Sequence, residues 1–188
     1  DYTKFALVTR SRTGSNLLIS LLNSHKNIMA HGEMFSRLNG KSCEEIYNGI
    51  FPDISAWQCV GFKIFYYHPH DSDDSTIWEL MRNDRNFKII HLQRENLLRV
   101  HISRLIAGKN HIWCSNRDSS SMVVDKKVYI NIDELIEDFK RTGNFIEDTR
   151  EKFKDHPVIE VKYEELITNR EEIMGLIIKF LGVPQVPL

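Results

Sequence analysis

The chain has 188 residues, with 25 basic and 26 acidic side chains and a formal net charge of −1. Its 41% apolar and 27% charged residues are the mixture of an ordinary soluble globular domain. The two signs of charge are interspersed, which excludes duplex nucleic acid as a partner, because that binding depends on a clustered excess of Lys and Arg.

No apolar run approaches the ~18 residues of a membrane span. Residues 1–8, DYTKFALV, lack the basic start and apolar stretch of a signal peptide. The chain begins without Met, as an excised or processed domain would. In chain order, the first predicted strand is Lys4–Thr9. A helix over Ser15–Ser24 follows, with Leu17, Leu18, Leu21 and Leu22 on one face. Strands Val60–Phe65 and Lys88–Leu92 come next, then a helix over Asn96–Ala107 carrying Leu98, Ile102, Leu105 and Ile106. The longest helix runs from Ile132 to Phe153, with Ile132, Leu135, Ile136, Phe139, Ile146 and Phe153 at helical spacing. Strand Val158–Lys162 precedes a last helix that opens at Thr168, where Glu171 is placed for a capping box, and stops at Gly182-Val183-Pro184.

Most of the strand runs are apolar at nearly every position, as strands buried on both faces are. Strands alternating with helices predict a single-domain α/β fold over 1–188, a three-layer sandwich around a mostly parallel central sheet. Ligands of such sheets bind beyond the carboxyl ends of the strands. The residues after Thr9, Phe65, Leu92 and Lys162 are therefore where chemistry is expected.

After the first strand the chain reads Thr9-Arg10-Ser11-Arg12-Thr13-Gly14-Ser15-Asn16 and enters a helix. A glycine-bearing turn at a helix N-terminus offers free backbone N–H groups and the positive end of the helix dipole to an anion. Arg12 adds a charge, and Thr13 and Ser15 add hydroxyl donors. A plain turn capped by Ser15 or Asn16 would need one polar group where five crowd together. The turn is not a Walker A loop, since Gly14 is followed by Ser-Asn rather than Lys. The strand IIHLQR ends in Gln93-Arg94 without the acid that would hold magnesium in a nucleoside triphosphatase.

TRSRTGSNLLISLLNS resembles the 5′-phosphosulfate loop of sulfotransferases, particularly the bacterial carbohydrate branch with the trehalose and nodulation-factor enzymes. The animal enzymes have Lys-Ser-Gly-Thr-Thr in this turn; Arg12 takes the Lys place, and Thr13, Gly14, Ser15 and Asn16 fill the rest. KIIHLQRENLLRVHISRLIAGK resembles the family's 3′-phosphate site, with Arg94 and Ser103 as the matching pair. Eight residues separate them here against seven in the animal pattern, and one residue turns a helical side chain by about 100°. A solvated Ser103 is the alternative. VIEVKYEELITN resembles the strand whose Tyr contacts adenine, which places Tyr163 there; ordinary packing is the alternative for a Tyr at a strand end. The resemblance covers nearly the whole chain. It implies a P-loop-like sulfotransferase fold and 3′-phosphoadenosine 5′-phosphosulfate as sulfate donor. The family's basic loop over the 3′-phosphate is either missing or lies beyond Leu188.

Sulfuryl transfer needs a base for the acceptor hydroxyl and positive groups for the charge developing on the leaving phosphate oxygen. Arg12 and the turn amides suit the second task, and no metal is required. His31-Gly32-Glu33-Met34-Phe35 resembles the bacterial segment that supplies the base, so Glu33 is the first candidate and His31, with its intrinsic pKa, the second. Lys63, inside VGFKIF, corresponds to a Lys that contacts the sulfuryl group in the animal enzymes. Snorkelling from an edge strand is the equal alternative. His68-Pro69-His70-Asp71, with Asp73 and Asp74, reads as a loop and helix start rather than a metal site.

Segments 36–58 and 109–130 are irregular and polar, and Trp57, His111 and Trp113 in them are candidate walls for a small-molecule or carbohydrate acceptor. Three cysteines, Cys43, Cys59 and Cys114, with no C-x-x-C spacing, predict neither a disulfide framework nor a zinc site and point to a reducing, cytoplasmic location. The competing readings are a kinase-like nucleotide-binding domain and a non-catalytic module of a larger protein.

Overall fold

The computed structural model describes residues 2–52, 56–113 and 125–184. Five strands form one sheet: β1 (Thr3–Thr9), β2 (Ile28–His31), β3 (Cys59–Phe65), β4 (Lys88–Gln93) and β5 (Val158–Lys162). All pair in parallel in the order β2-β3-β1-β4-β5. The helices are α1 (Ser15–Asn23), α2 (Cys43–Ile50), α3 (Thr76–Asn83), α4 (Leu97–Asn110), α5 (Ile132–Lys152), α6 (Tyr163–Thr168) and α7 (Arg170–Leu181).

Alternate strand residues feed two cores, as the period of a pleated strand requires. Ala6, Val8, Phe62, Ile64 and Ile89 pack with residues of α2 and α3 on one face. Phe5, Leu7, Ile90, Leu92 and Val161 pack with α1, α6 and α7 on the other. The result is the expected three-layer α/β sandwich.

Several local expectations are corrected. Segment 36–58 is not wholly irregular, because α2 lies inside it, opened by a capping box. The Ser42 hydroxyl accepts from Glu45 N at 3.1 Å, and the Glu45 carboxylate accepts from Ser42 N at 2.7 Å. The last helix does not open at Thr168. That residue ends α6, and its hydroxyl donates back to the Glu164 carbonyl at 2.9 Å. The apolar stripe expected for α5 is buried only in part: Ile132 and Ile136 are exposed, Leu135, Phe139 and Ile146 are half-buried, and Phe153 at the helix end lies in the core. The fully buried positions within the helix are Asp138, Thr142 and Thr149. Leu98 of α4 is exposed too, while Val100, His101 and Ala107 are buried. β3 is interior rather than an edge, so Lys63 does not snorkel out along a sheet margin.

The chain moves from β1 to β2 and β3 on one side, then crosses to β4 and β5 on the other. The crevice beyond the carboxyl ends of β1 and β4 is therefore the topological switch point, where open parallel sheets bind ligands. No helix among the described residues is long and apolar enough to cross a membrane.

Candidate active site

The turn after β1 is stapled to β4. The Thr9 hydroxyl donates to the Leu92 carbonyl at 2.6 Å and lies 2.7 Å from the Thr13 hydroxyl, which in turn bonds the Arg10 carbonyl at 2.9 Å. Arg12 and Gly14 both take left-handed backbone conformations, φ 69° and 87°. Gly14 is the N-cap of α1 and provides no side-chain cap. The first N–H groups of that helix therefore depend on an acceptor from outside the helix. Glycine is needed at this position for a second reason: a Cβ there would stand 2.3 Å from Cδ2 of Tyr163.

Tyr163 opens α6 directly after β5, so its ring packs against the turn. The Arg94 guanidinium lies over that ring, 4.4 Å from its centre, and donates from Nη1 to the Arg12 carbonyl at 3.1 Å. Arg94 Nε is buried without a hydrogen-bond partner. Glu164 braces the start of α4 by accepting from the N–H groups of Glu95 at 3.1 Å and Asn96 at 3.2 Å. On α4, Ser103 faces inward. Its hydroxyl accepts from Arg12 Nε at 2.8 Å, and Arg12 Nη1 donates to the Trp113 carbonyl at 2.7 Å. Arg12, Arg94, Arg99 and Ser103, with Ile102 and Ile106, line an open cleft of about 330 Å³. A larger concavity of about 640 Å³, walled by mixed charges including Arg82, Glu151 and Lys154, lies far from this chemistry.

The cleft suits a phosphorylated nucleotide. Beside it stand a left-handed glycine that leaves no room for a Cβ, a helix N-terminus without a side-chain cap, and the part-buried Arg94, whose Nε makes no hydrogen bond and lies 4.0 Å from the Glu164 carboxylate, features that favour an anion.

A second group sits one strand over. Lys63 is 3% exposed, yet its ammonium is not isolated. It donates to Asn16 Oδ1 at 2.5 Å and pairs with Glu33 Oε1 at 2.8 Å. Because Asn16 lies in the first turn of α1, this chain links the HGEMF segment to the anion-binding turn. Lys63 is met by Glu33 rather than by His31. The latter ends β2, where burial holds its imidazole below the ordinary pKa. Behind Glu33 stands His68, fully buried and 4.0 Å away from Nε2 to Oε2. Its pKa is pushed down to about 4, first by burial and then by His70 and Lys63.

The acidic run expected to form a loop and helix start does so by holding backbone. Asp71 accepts from Leu38 N at 2.8 Å and Asn39 N at 3.1 Å, and Asp74 from Cys43 N at 3.1 Å and Thr76 N at 3.0 Å. These bonds fix the segment that follows Glu33. Among the described residues no group of His, Cys, Asp and Glu is placed to hold a metal ion. Trp57 packs against the core on the α2 face, whereas His111, the left-handed C-cap of α4, and Trp113 are exposed. Cys43 and Cys59 are buried free thiols; Cys114 lies outside the described residues.

Sequence reasoning missed the cluster beneath the turn. Arg10 is buried and reaches α5, donating from Nη2 to Asp138 Oδ1 at 3.1 Å. The only hint in the sequence was an arginine following a buried strand.

A sulfotransferase domain family model matches residues 2–187. Nodulation protein H of Rhizobium tropici is 24% identical over 197 residues, covering 96% of this chain and 76% of that protein. Among solved structures, a sulfotransferase from Alicyclobacillus acidocaldarius aligns with a TM-score of 0.66 at 15% identity, over 100% of this chain and 85% of that one. A mouse sulfotransferase complexed with PAP aligns with a TM-score of 0.61 at 14% identity, over 98% of this chain and 60% of the other. The two structural likenesses speak for the fold. With the family match running through the turn, the Arg94–Ser103 pair and Tyr163, this chain belongs to the sulfotransferase domain family.

Proposed function

We propose that this site transfers the sulfuryl group of 3′-phosphoadenosine 5′-phosphosulfate to a hydroxyl of a carbohydrate or other small acceptor, without a metal. The observation that carries the reading is the turn at the switch point, where Gly14, Tyr163 and Arg94 interlock around a helix N-terminus that lacks a side-chain cap. The mouse neighbour was solved with PAP, the desulfated donor. The likeness to Nodulation protein H supports the bacterial carbohydrate branch and hence a sugar acceptor.

The roles follow from position. The amides of Gly14, Ser15 and Asn16 and the hydroxyls of Thr13 and Ser15 hold the 5′-phosphosulfate. Arg94 and Ser103 hold the 3′-phosphate, and Tyr163 backs the adenosine. Arg12, expected to meet the charge on the leaving phosphate oxygen, is instead turned to Ser103 and the Trp113 carbonyl, and takes up that charge only on leaving them for bound donor. Glu33 takes the acceptor proton as the acceptor oxygen bonds to sulfur and the sulfur–oxygen bond to the phosphate breaks, giving a sulfate ester and PAP. Lys63 faces the charge that grows on the transferred group. His31 is the reserve base. A kinase reading is disfavoured because the turn has no Walker Lys and β4 ends in Gln93-Arg94.

PAP is expected to stabilise the fold against heat more than ATP–magnesium does. At a concentration ~100-fold above the dissociation constant the stabilisation is ~2.7 kcal/mol. A thermal-shift assay measures it, and equal or greater protection by ATP–magnesium sinks the reading. Arg94→Ala is expected to weaken PAP by about 1.5–3 kcal/mol, the cost of a charge-assisted fork, while adenosine 5′-phosphate changes little. Calorimetric titration of both nucleotides decides it; an equal loss for the two places Arg94 away from the 3′-phosphate.

A further inference from the structure

Helix α5 has 21 residues, and its buried side chains are Asp138, Thr142 and Thr149, every one of them polar. Beside its half-buried apolar residues, with Phe145 stacked on Tyr66, the helix is therefore also docked by directed bonds, and these converge on Asp138. Its Oδ1 meets Arg10 Nη2 at 3.1 Å and Arg104 Nη1 at 2.9 Å, and its Oδ2 meets His101 Nδ1 at 3.1 Å. The Thr142 hydroxyl accepts from Arg10 Nη1 and donates to the Asp138 carbonyl. Asp138 is 4% exposed and Arg10 equally buried, so water does not substitute for these contacts.

The partners of Asp138 are the two segments that shape the donor cleft. Arg10 is the first residue after β1, and its carbonyl closes the anion-binding turn through Thr13. His101 and Arg104 flank Ser103 on α4, the residue that receives Arg12. One carboxylate on a third element thus fixes both the path of the turn and the roll of α4. Two guanidiniums against one carboxylate also leave a surplus of positive charge under a turn shaped for an anion.

We infer that Asp138 is a positioning residue for donor binding, setting the turn through Arg10 and Ser103 through His101 and Arg104 without touching the donor. The inference rests on the donor site proposed above, and the experiment separates the two. Wild-type protein is titrated with PAP first; failure to bind counts against the donor site itself. Asp138→Asn, which keeps the shape but loses the charge, is then compared with wild type for PAP affinity and for the KM of donor and acceptor. Small misplacements of a binding group cost up to about 100-fold, and a loss of about 10- to 100-fold in PAP affinity is expected, with donor KM rising in step and acceptor KM unchanged. A merely structural role would move both KM values together, because Glu33 and Lys63 stand on the far side of β1.

Unchanged PAP affinity in folded Asp138→Asn overturns the inference, as does an equal rise in both KM values. Should that variant fail to fold, Thr142→Val decides. It removes one bond to Arg10 and leaves all charges in place. A smaller loss confined to the donor upholds the inference, and no loss overturns it.

Discussion

Glu33→Gln is expected to abolish most turnover while leaving PAP affinity nearly unchanged. The amide keeps the size of the carboxylate and its oxygen can still accept from Lys63, but it cannot take a proton from an acceptor hydroxyl. Removing a general base costs about 10²–10⁴-fold in rate. The side chain of Glu33 is about one third exposed but Lys63 is buried, so losing the charge of Glu33 also costs stability, and thermal unfolding of Glu33→Gln is measured beside its turnover to separate the two effects. His31→Asn is the matched control. Its imidazole is two residues away, yet Lys63 pairs with Glu33 instead. Steady-state turnover with saturating donor and a PAP titration on both variants check the assignment. Collapse in His31→Asn with near-normal Glu33→Gln moves the role to His31. Normal turnover in both removes the base from HGEMF altogether.

The sheet and the donor side were legible because their signals are local. β1, β3 and β4 are apolar runs bounded by polar turns, and their burial on both faces follows from a parallel sheet. The turn at Gly14 announces itself by composition. β2 was not legible, since four residues flanked by polar segments carry too little pattern. β5 resembled the others in sequence but is a largely exposed edge strand, held by pairs such as Arg150–Glu160 at 2.6 Å.

What was missed in α5 was missed for a physical reason. Apolar periodicity marks the half-buried Leu135, Phe139 and Ile146 and the buried Phe153, but carries no sign of polar side chains buried beside them. Here the buried Arg10 and His101 and the half-buried Arg104 reach across, and the helix turns Asp138 and Thr142 inward to meet them. Sequence distance hides such a cluster, because Arg10 and Asp138 are 128 residues apart. The extra residue between Arg94 and Ser103 left the roll of α4 open. The structure turns Ser103 toward Arg12, and the bonds from Asp138 to His101 and Arg104 account for that roll.

Lys63→Met is expected to lower kcat by about 10²–10³-fold, the usual cost of removing one preorganised group aimed at developing charge, with no loss of stability. Both parts follow from one feature: an ammonium buried in a strand whose every residue is buried. Taking that charge out of water costs several kcal/mol, and the bonds to Glu33 and Asn16 offset this only in part. Methionine fills a similar volume without the desolvation cost. The carboxylate left behind is not trapped, because Glu33 has access to solvent. A folding calculation alone would therefore favour an apolar residue at position 63, and the lysine is explained by what it does at the end of the Glu33–Lys63–Asn16 chain, beside the first turn of α1. The test pairs thermal unfolding with turnover at saturating donor and acceptor. An unchanged or higher Tm with a collapsed kcat confirms the assignment. A kcat near that of wild type reduces Lys63 to a counterion for Glu33. A sharp fall in Tm makes the ammonium part of what holds β3 in place.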